Sequence, residues 1–586
     1  MQWAADDPAR FTRERAELER LSQELTGLQG VVWRLDPVRF LLQVDFDLNV
    51  HGKMYEARLT YPDLFPATPP YICPRDPSAR WSPHQYGPGG ALCLEWRADN
   101  WNPAISGADL IRSAYKLLAS ETHPEHPVPV ASAHRLTLGQ ETRGSRLRLL
   151  LTPGNRAALE SLTEGAAHRL HVVKLLHPLV TILLVTQIDQ AGTAKSMDVP
   201  FAQNVYYPVT SLERLGRAYR SSSFDQLGAV NTATQLYDAL RQAGFDDGAL
   251  PSPEFESGAE RSVLLLGADV KPVRAFELTS DDGALEYDLL QGGDYNRRQP
   301  SEYIGLSQLR VGIVGLGSLG SKVTLSLGRC GLRRFLLVDD DLLLPENLSR
   351  HELGWAAVGL HKVDAVAEAL RLIAPQVEVC VRRHHVAGQE SSTTAAAALQ
   401  DLAQCDLLID ATADQNVFVR LAAVAVRCQR PLVWGELFAT GLGGHVARAR
   451  PGHDPAPLGV RDSLNRFYAS QPPAPYRLAA GYDGEEHDPV TAFDCEVGQI
   501  ASMMTQLTLD TALQRIPSRF PYSAYVMGFR REWIFNQPFE THPVEVSGPD
   551  WGASAGETVS EEERRDVLLD LIKMLPGQDA DANAAG

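Results

Sequence analysis

Three glycines and a carboxylate offer the first chemistry in this chain. In LRVGIVGLGSLGSKVTLSLGRCG, Gly315, Gly317 and Gly320 follow an apolar run and open a helical period. That spacing lets backbone amides and the positive end of a helix approach a phosphate. Asp339, 24 residues after Gly315 at the end of FLLVDD, stands where a carboxylate accepts hydrogen bonds from ribose hydroxyls. Alone, these residues fit a nicotinamide-dependent dehydrogenase and a nucleotide-activating enzyme equally well. A thiol is the second reactive group. Cys330, Cys380, Cys405 and Cys428 lie in apolar periodic stretches and read as core, whereas Cys495 follows the polar run GYDGEEHDPVTAFD and begins a helical one. Exposed amides at a helix start favour the thiolate; the neighbours Asp494 and Glu496 oppose it.

These groups need elements to hold them. After residue 308, strand-like runs at Leu309–Val314, Phe335–Val338, Leu407–Ile409 and Leu432–Trp434 alternate with helical stretches at Ser318–Cys330, Lys362–Ile373 and Val417–Cys428. Alternation of this kind predicts a parallel, doubly wound sheet. Residues 8–29 predict an opening amphipathic helix; the next stretch, to Pro62, predicts antiparallel strands. Pro62 to Pro88 reads as a Pro-rich loop, and 105–120 resumes a helical period. Between 141 and 300, LHVVKLLHPLVTILLVTQ reads as sheet and Asn231–Ala243 as helix. Near the end, Ser560 and Glu563 form a capping box before an amphipathic helix and a small-residue tail reaching Gly586. The boundaries expected are 1–140, 141–300, 301–550 and 551–586, the second a linker domain and the last a helix with a flexible tail.

Composition narrows the classes. A chain of 586 residues with 44% hydrophobic and 22% charged residues is too long for one core and too apolar for disorder. A net charge of -18 argues against a nucleic-acid partner. No 18-residue apolar run predicts a membrane span, and seven widely spaced cysteines without CxxC suit a reducing cytoplasm and supply no zinc framework.

The run DDDLLLPENLSRHELGWAAVGLHKVDAVAEAL, followed by DLLIDATADQNVFVRLAAVAV, resembles the ThiF/MoeB and ubiquitin-activating superfamily. The motifs are Val338-Asp339-Asp340-Asp341, Asn347-Leu348-Ser349-Arg350-His351, Gly359-Leu360-His361-Lys362 and Asp410-Ala411-Thr412-Ala413-Asp414. The resemblance implies a Rossmann-like adenylation domain binding ATP through the three glycines, Asp339, Asp341, Asn347, Arg350, Lys362 and Asp414. Asp414 is then the Mg²⁺ ligand, and homodimerisation runs through this domain. Arg350 and Lys362 would neutralise charge as a carboxylate attacks the α-phosphate. Two departures stand out: His351 replaces the family glutamine, and one residue is inserted before the second aspartate, which keeps Asp410 open as an alternative ligand.

Residues 30–127 resemble ubiquitin-conjugating enzymes, α+β proteins, in Tyr61-Pro62, Pro69-Pro70, Gly90-Ala91-Leu92-Cys93-Leu94, Trp101-Asn102-Pro103 and His123-Pro124. The resemblance makes Cys93 the acyl-carrying thiol. The HPN tripeptide of the family is missing; Gln85, eight residues before Cys93, or His84 would donate to the oxyanion. The two resemblances together describe a fusion like those in bacterial CBASS anti-phage operons. They imply adenylation of a partner protein's C-terminus, such as that of a nucleotidyltransferase or ubiquitin-like protein. The acyl group would pass through Cys495 and Cys93 to a lysine on a target. The alternative is a sulfur-carrier adenylyltransferase with a non-catalytic docking domain.

Overall fold

The computed structural model describes residues 2–82, 84–122, 145–190, 193–196, 210–251, 260–269, 272–291, 299–374, 376–388, 392–438, 441–473, 492–552 and 561–573. His123, Pro124, the polar run before Ala492, Ser560 and Gly586 lie outside them. The chain divides into two compact units, 1–143 and 144–586.

In the first unit, α1 (Gln2–Asp6) precedes α2 (Pro8–Glu24), which Asp7 caps by accepting from the Arg10 amide. The apolar period suggests a helix to residue 29, but Leu25 is extended and Leu28 opens β1 (Leu28–Leu35). Next come β2 (Leu42–Val50), β3 (Lys53–Tyr61) and β4 (Tyr71–Pro74), an antiparallel meander in the order β1-β2-β3-β4. The Pro-rich stretch is therefore not all loop, because Tyr71, Ile72 and Cys73 pair with Thr60, Leu59 and Arg58. After it, α3 (Gly107–Glu121) starts from a Ser106/Asp109 capping box. The buried Glu14 carboxylate accepts from Tyr61 Oη and the Gly107 amide, both at 2.8 Å, and so ties α2 to β3 and α3. Burial raises its pKa.

The second unit opens with β5 (Leu147–Leu151), α4 (Pro153–Glu160), β6 (Ala167–Leu176), β7 (Thr181–Gln190), β8 (Thr193–Ser196) and β9 (Thr210–Arg220). Then follow α5 (Ala233–Gln242), β10 (Ser262–Leu266), β11 (Val273–Leu278) and β12 (Ala284–Gln291). The strand order is β5-β12-β11-β10-β9-β6-β7-β8, and β5 also pairs with β7, so seven strands close into a barrel. Closure removes the open edges that an exposed sheet would carry. Leu149, Leu170, Leu183, Leu264 and Tyr287 pack within it, while Phe224, Leu236 and Phe276 form a second cluster with α5.

The remaining elements are β13 (Arg310–Val314), α6 (Ser318–Arg329), β14 (Arg334–Val338), α7 (Lys362–Ile373), β15 (Glu378–Arg382), α8 (Ser392–Ala403) and β16 (Leu407–Asp410). They continue with α9 (Gln415–Cys428), β17 (Leu432–Leu437), β18 (Gly443–Ala449), α10 (Pro457–Ala469), α11 (Asp494–Ala512), β19 (Ala524–Gly528), β20 (Thr541–Val544) and α12 (Glu561–Lys573). Strands β15-β14-β13-β16-β17 are parallel, as the alternation suggested. Beyond β17 the sheet turns antiparallel through β18, β19 and β20. The order reverses between β14-β13 and β13-β16, and ligands of open α/β sheets bind beyond the strand ends at such a point.

Candidate functional site

A cavity of 520 Å³ opens there, within the size range of small-molecule sites. Its walls include Gly315, Gly317, Asp339, Asp341, Asn347, Arg350 and Lys362, seven of the residues singled out by type and spacing. Each glycine has its own reason. Gly315 has φ +87°, and a Cβ on Gly320 would fall 1.8 Å from the Gly315 carbonyl oxygen, so both are fixed by close packing. A Cβ on Gly317 meets nothing within 4 Å. Gly317 caps α6 and faces the open cavity, where a phosphate can approach the helix amides.

Asp339 Oδ2 accepts from the Leu316 amide at 2.6 Å and Oδ1 from the Asp341 amide at 2.9 Å. The carboxylate that spacing assigns to ribose thus also braces the glycine turn, and burial raises its pKa. The Lys362 ammonium is paired with the Asp341 carboxylate, and its own amide donates to the Asp341 carbonyl at 3.0 Å. Arg350 Nε donates to Ser318 Oγ at 3.0 Å, which places the guanidinium beside the start of α6. Asn347 accepts from the Leu344 amide.

His351 is buried; Nε2 lies 2.9 Å from the Leu316 carbonyl, and Nδ1 accepts from the Leu353 amide. That pair of bonds requires the neutral tautomer with hydrogen on Nε2, and burial lowers the pKa in the same sense. At the second departure, Asp410 Oδ1 accepts from both the amide and the hydroxyl of Thr412, and Ala413 takes a left-handed φ of +58°. The turn absorbs the extra residue and leaves Asp414 as the cap of α9, its Oδ1 accepting from Asn416 and Val417. Thr412 and Ala413 line the cavity; neither Asp410 nor Asp414, the two carboxylates singled out by sequence as metal ligands, is among its lining residues. Desolvation pushes Asp410 up to about 6.

Sequence reasoning missed Glu436, at the end of β17 in the same wall, whose pKa burial raises. It sits in an apolar strand with no motif around it. Ala492 and Val497 also line the cavity. They flank Cys495, which is exposed in the first turn of α11. Lys322 of α6 bridges Asp494 at 2.7 Å and Glu352 at 3.3 Å, so one of the two acids beside the thiol is paired.

Cys93, in the other unit, is half-buried. An isolated antiparallel bridge joins Gln85 to Leu92, and the Cys93 amide donates to the His84 carbonyl at 2.7 Å. Gln85 and Leu92 are both buried at 5% exposure, and the His84 amide donates to Ser82 Oγ at 2.8 Å. The Gln85 amide accepts from the Trp81 amide and donates to the Ala79 carbonyl.

The region around the cavity has known relatives. Residues 298–525 match the ThiF family. The chain is 28% identical over 159 residues to ubiquitin-like modifier-activating enzyme 5 of Aedes aegypti, covering 26% of this chain and 40% of that one. It is 33% identical over 164 residues to the ATP-dependent ubiquitin transferase-like protein Cap2 of Enterobacter hormaechei, covering 28% of this chain and 26% of that one. It is 34% identical over 142 residues to adenylyltransferase and sulfurtransferase MOCS3-1 of Zea mays, covering 24% and 28%. The match therefore spans well under two thirds of each relative. Escherichia coli MccB with ATP is similar at 14% identity and a TM-score of 0.32, covering 43% of this chain and 68% of that one. The chain is thus similar over part of its length to activating enzymes of ubiquitin-like modifiers, and no helix among the described residues is long and apolar enough to cross a membrane.

Proposed function

We propose that this chain is an ATP-dependent protein conjugation enzyme that adenylates a partner protein's C-terminus, carries it as a thioester and transfers it to an amine, in a bacterial anti-phage setting. One observation carries the reading: the cavity that gathers Gly317, Arg350 and Lys362 is also walled by the residues flanking Cys495. ATP would lay its phosphates over Gly317 and the start of α6, with its ribose toward Asp339. A phosphate oxygen competes with Asp341 for the Lys362 ammonium, and Arg350 meets charge that develops at the α-phosphate.

Among the described residues no three His, Cys, Asp or Glu side chains converge on a metal position. Nucleotide-bound Mg²⁺ needs only one or two carboxylates. Asp414 would hold it through Oδ2, since Oδ1 is committed to the α9 cap. When bound, the ion would neutralise phosphate charge.

The partner's C-terminal carboxylate attacks the α-phosphate and pyrophosphate leaves. The Cys495 thiol then displaces AMP, and Cys93 takes the acyl group by thiol exchange. The first unit's antiparallel meander, its helices and the Cys93 bridge support a conjugating-like role for residues 1–140. A lysine on the target is the final acceptor, and pairing of two copies through residues 301–550 completes the reading.

The test is ATP-dependent mass gain on the full chain mixed with candidate partner C-termini, without reductant. Cys93→Ala and Cys495→Ala should each remove one thiol-sensitive adduct while pyrophosphate exchange continues. Arg350→Ala and Lys362→Ala should each slow exchange by about 100-fold. Exchange without any cysteine adduct would leave an adenylating enzyme and remove the conjugation step.

A further inference from the structure

Beside Cys93 lie His84, so far weighed only as an oxyanion donor, and Glu121, to which the conjugation reading gives no role. Gly87 and Gly89 have φ of +78° and +66°, and Cβ atoms on Gly89 and Gly90 would fall within 2.2 Å of the Pro77 and Tyr86 carbonyl oxygens. This tight glycine turn folds residues 84–86 back onto 91–93, with the Tyr86 amide donating to the Ala91 carbonyl and the Cys93 amide to the His84 carbonyl. His84 and Cys93 are therefore neighbours across this turn, joined by that one backbone hydrogen bond, while the His84 amide donates to Ser82 Oγ at 2.8 Å.

Behind the imidazole stands the last residue of α3. His84 Nε2 lies 4.0 Å from Glu121 Oε1, an ion-pair distance, and the Glu121 side chain is 11% exposed. Its second oxygen, Oε2, is buried and accepts no hydrogen bond from the described residues. A buried carboxylate oxygen without a donor is costly, and a catalytic role is one of the few reasons to keep it. Cys93, His84 and Glu121 thus bring a thiol, an imidazole and a carboxylate into neighbouring positions, the groups that activate a nucleophile and move its proton once aligned.

We propose that His84, positioned by Glu121, is the general base and acid at Cys93. The inference rests on the reading of Cys93 as an acyl carrier. When an amine attacks the Cys93 thioester, the new C–N bond forms as the C–S bond breaks. The amine's surplus proton passes to His84 Nδ1, and the thiolate sulfur recovers it from the imidazolium. Glu121 faces Nε2–H throughout and stabilises the imidazolium between the two transfers. In the reverse sense His84 takes the thiol proton while Cys93 receives its acyl group.

The experiment bypasses ATP and the ThiF region. Full-length Cys495→Ala protein is loaded with a synthetic glycine-terminated peptide thioester, peptide mapping locates the acyl group, and discharge to free lysine is followed by mass against pH. His84→Gln should slow discharge by about 100-fold at pH 7. Glu121→Gln should slow it about tenfold, with Glu121→Asp restoring part of the rate. Both slow variants should recover as pH rises and the lysine amine loses its proton unaided, while their thermal midpoints stay near that of the parent. Equal rates and equal pH profiles in all four proteins would overturn the proposal and leave the pair as a clip between α3 and the loop. Failure of Cys93 to accept the peptide would overturn it too. Adenylation is decided separately, by pyrophosphate exchange.

Discussion

Single atoms decide much of what the cavity can do. Gly317 and Gly320 are three residues apart, yet only the second is hemmed in by its own loop. Gly320→Ala should lower stability by about 2 kcal/mol or more, read by urea unfolding, because a backbone carbonyl must move. Gly317→Val should leave unfolding unchanged and weaken ATP binding in calorimetric titration. His445 supplies a pH test at the same scale. It is buried on β18 with Nδ1 3.0 Å from Tyr468 Oη, and desolvation lowers its pKa to about 4. The unfolded chain binds this proton at a higher pH than the folded one. The stabilisation is therefore complete above about pH 6.5 and lost as pH falls toward 4. Between pH 7 and pH 5 the loss should be about 2 kcal/mol by urea unfolding, and His445→Gln should flatten that limb. Residue identity was the most legible level in the sequence, since glycine spacing and the polar motifs are local. Glu121 was not legible, because an acid ending an amphipathic helix reads as a solvated side chain until the helix is seen to end against His84.

Elements were legible where their periodicity was local. The helix at Lys362–Ile373 follows its apolar period to the residue, and four of the five parallel strands fall on the apolar runs, while β15 and the helix after it carried no such signal. The antiparallel extension through β18, β19 and β20 was not legible, because its pairing partners are set by where β17 leaves the sheet. Nor was the barrel: β5 pairs with β12, Leu149 opposite Leu289, and nothing local announces a contact so far along the chain. The ThiF elements are locked by a polar bond. Arg448 on β18 is fully buried, donating to Asp510 on α11 at 2.7 Å, to Ser518 and to the Phe520 carbonyl. Asp510→Ala should cost about 3–5 kcal/mol in urea unfolding, since it strands a guanidinium in the core. Arg448→Met combined with Asp510→Leu should cost clearly less than the single change.

At the scale of the molecule, the chain divides into two compact units, which should unfold in separate transitions. On the proposed reading ATP binds only the state in which the glycine turn is formed, so saturating nucleotide should shift one melting transition upward and leave the transition of residues 1–143 in place. Hydrogen exchange should slow in β13, β14 and the start of α6, and remain unaltered across β2 and β3. The barrel adds a mechanical consequence. The strand β5 enters it from the N-terminal side and lies parallel to both β7 and β12. A pull on Leu147 against a pull beyond Gln291 loads both rows of hydrogen bonds lengthwise and all at once, instead of opening them one by one. An unfoldase threading this chain from its N-terminus would pass the meander easily and stall at residue 147, releasing a fragment that still contains the whole ThiF region.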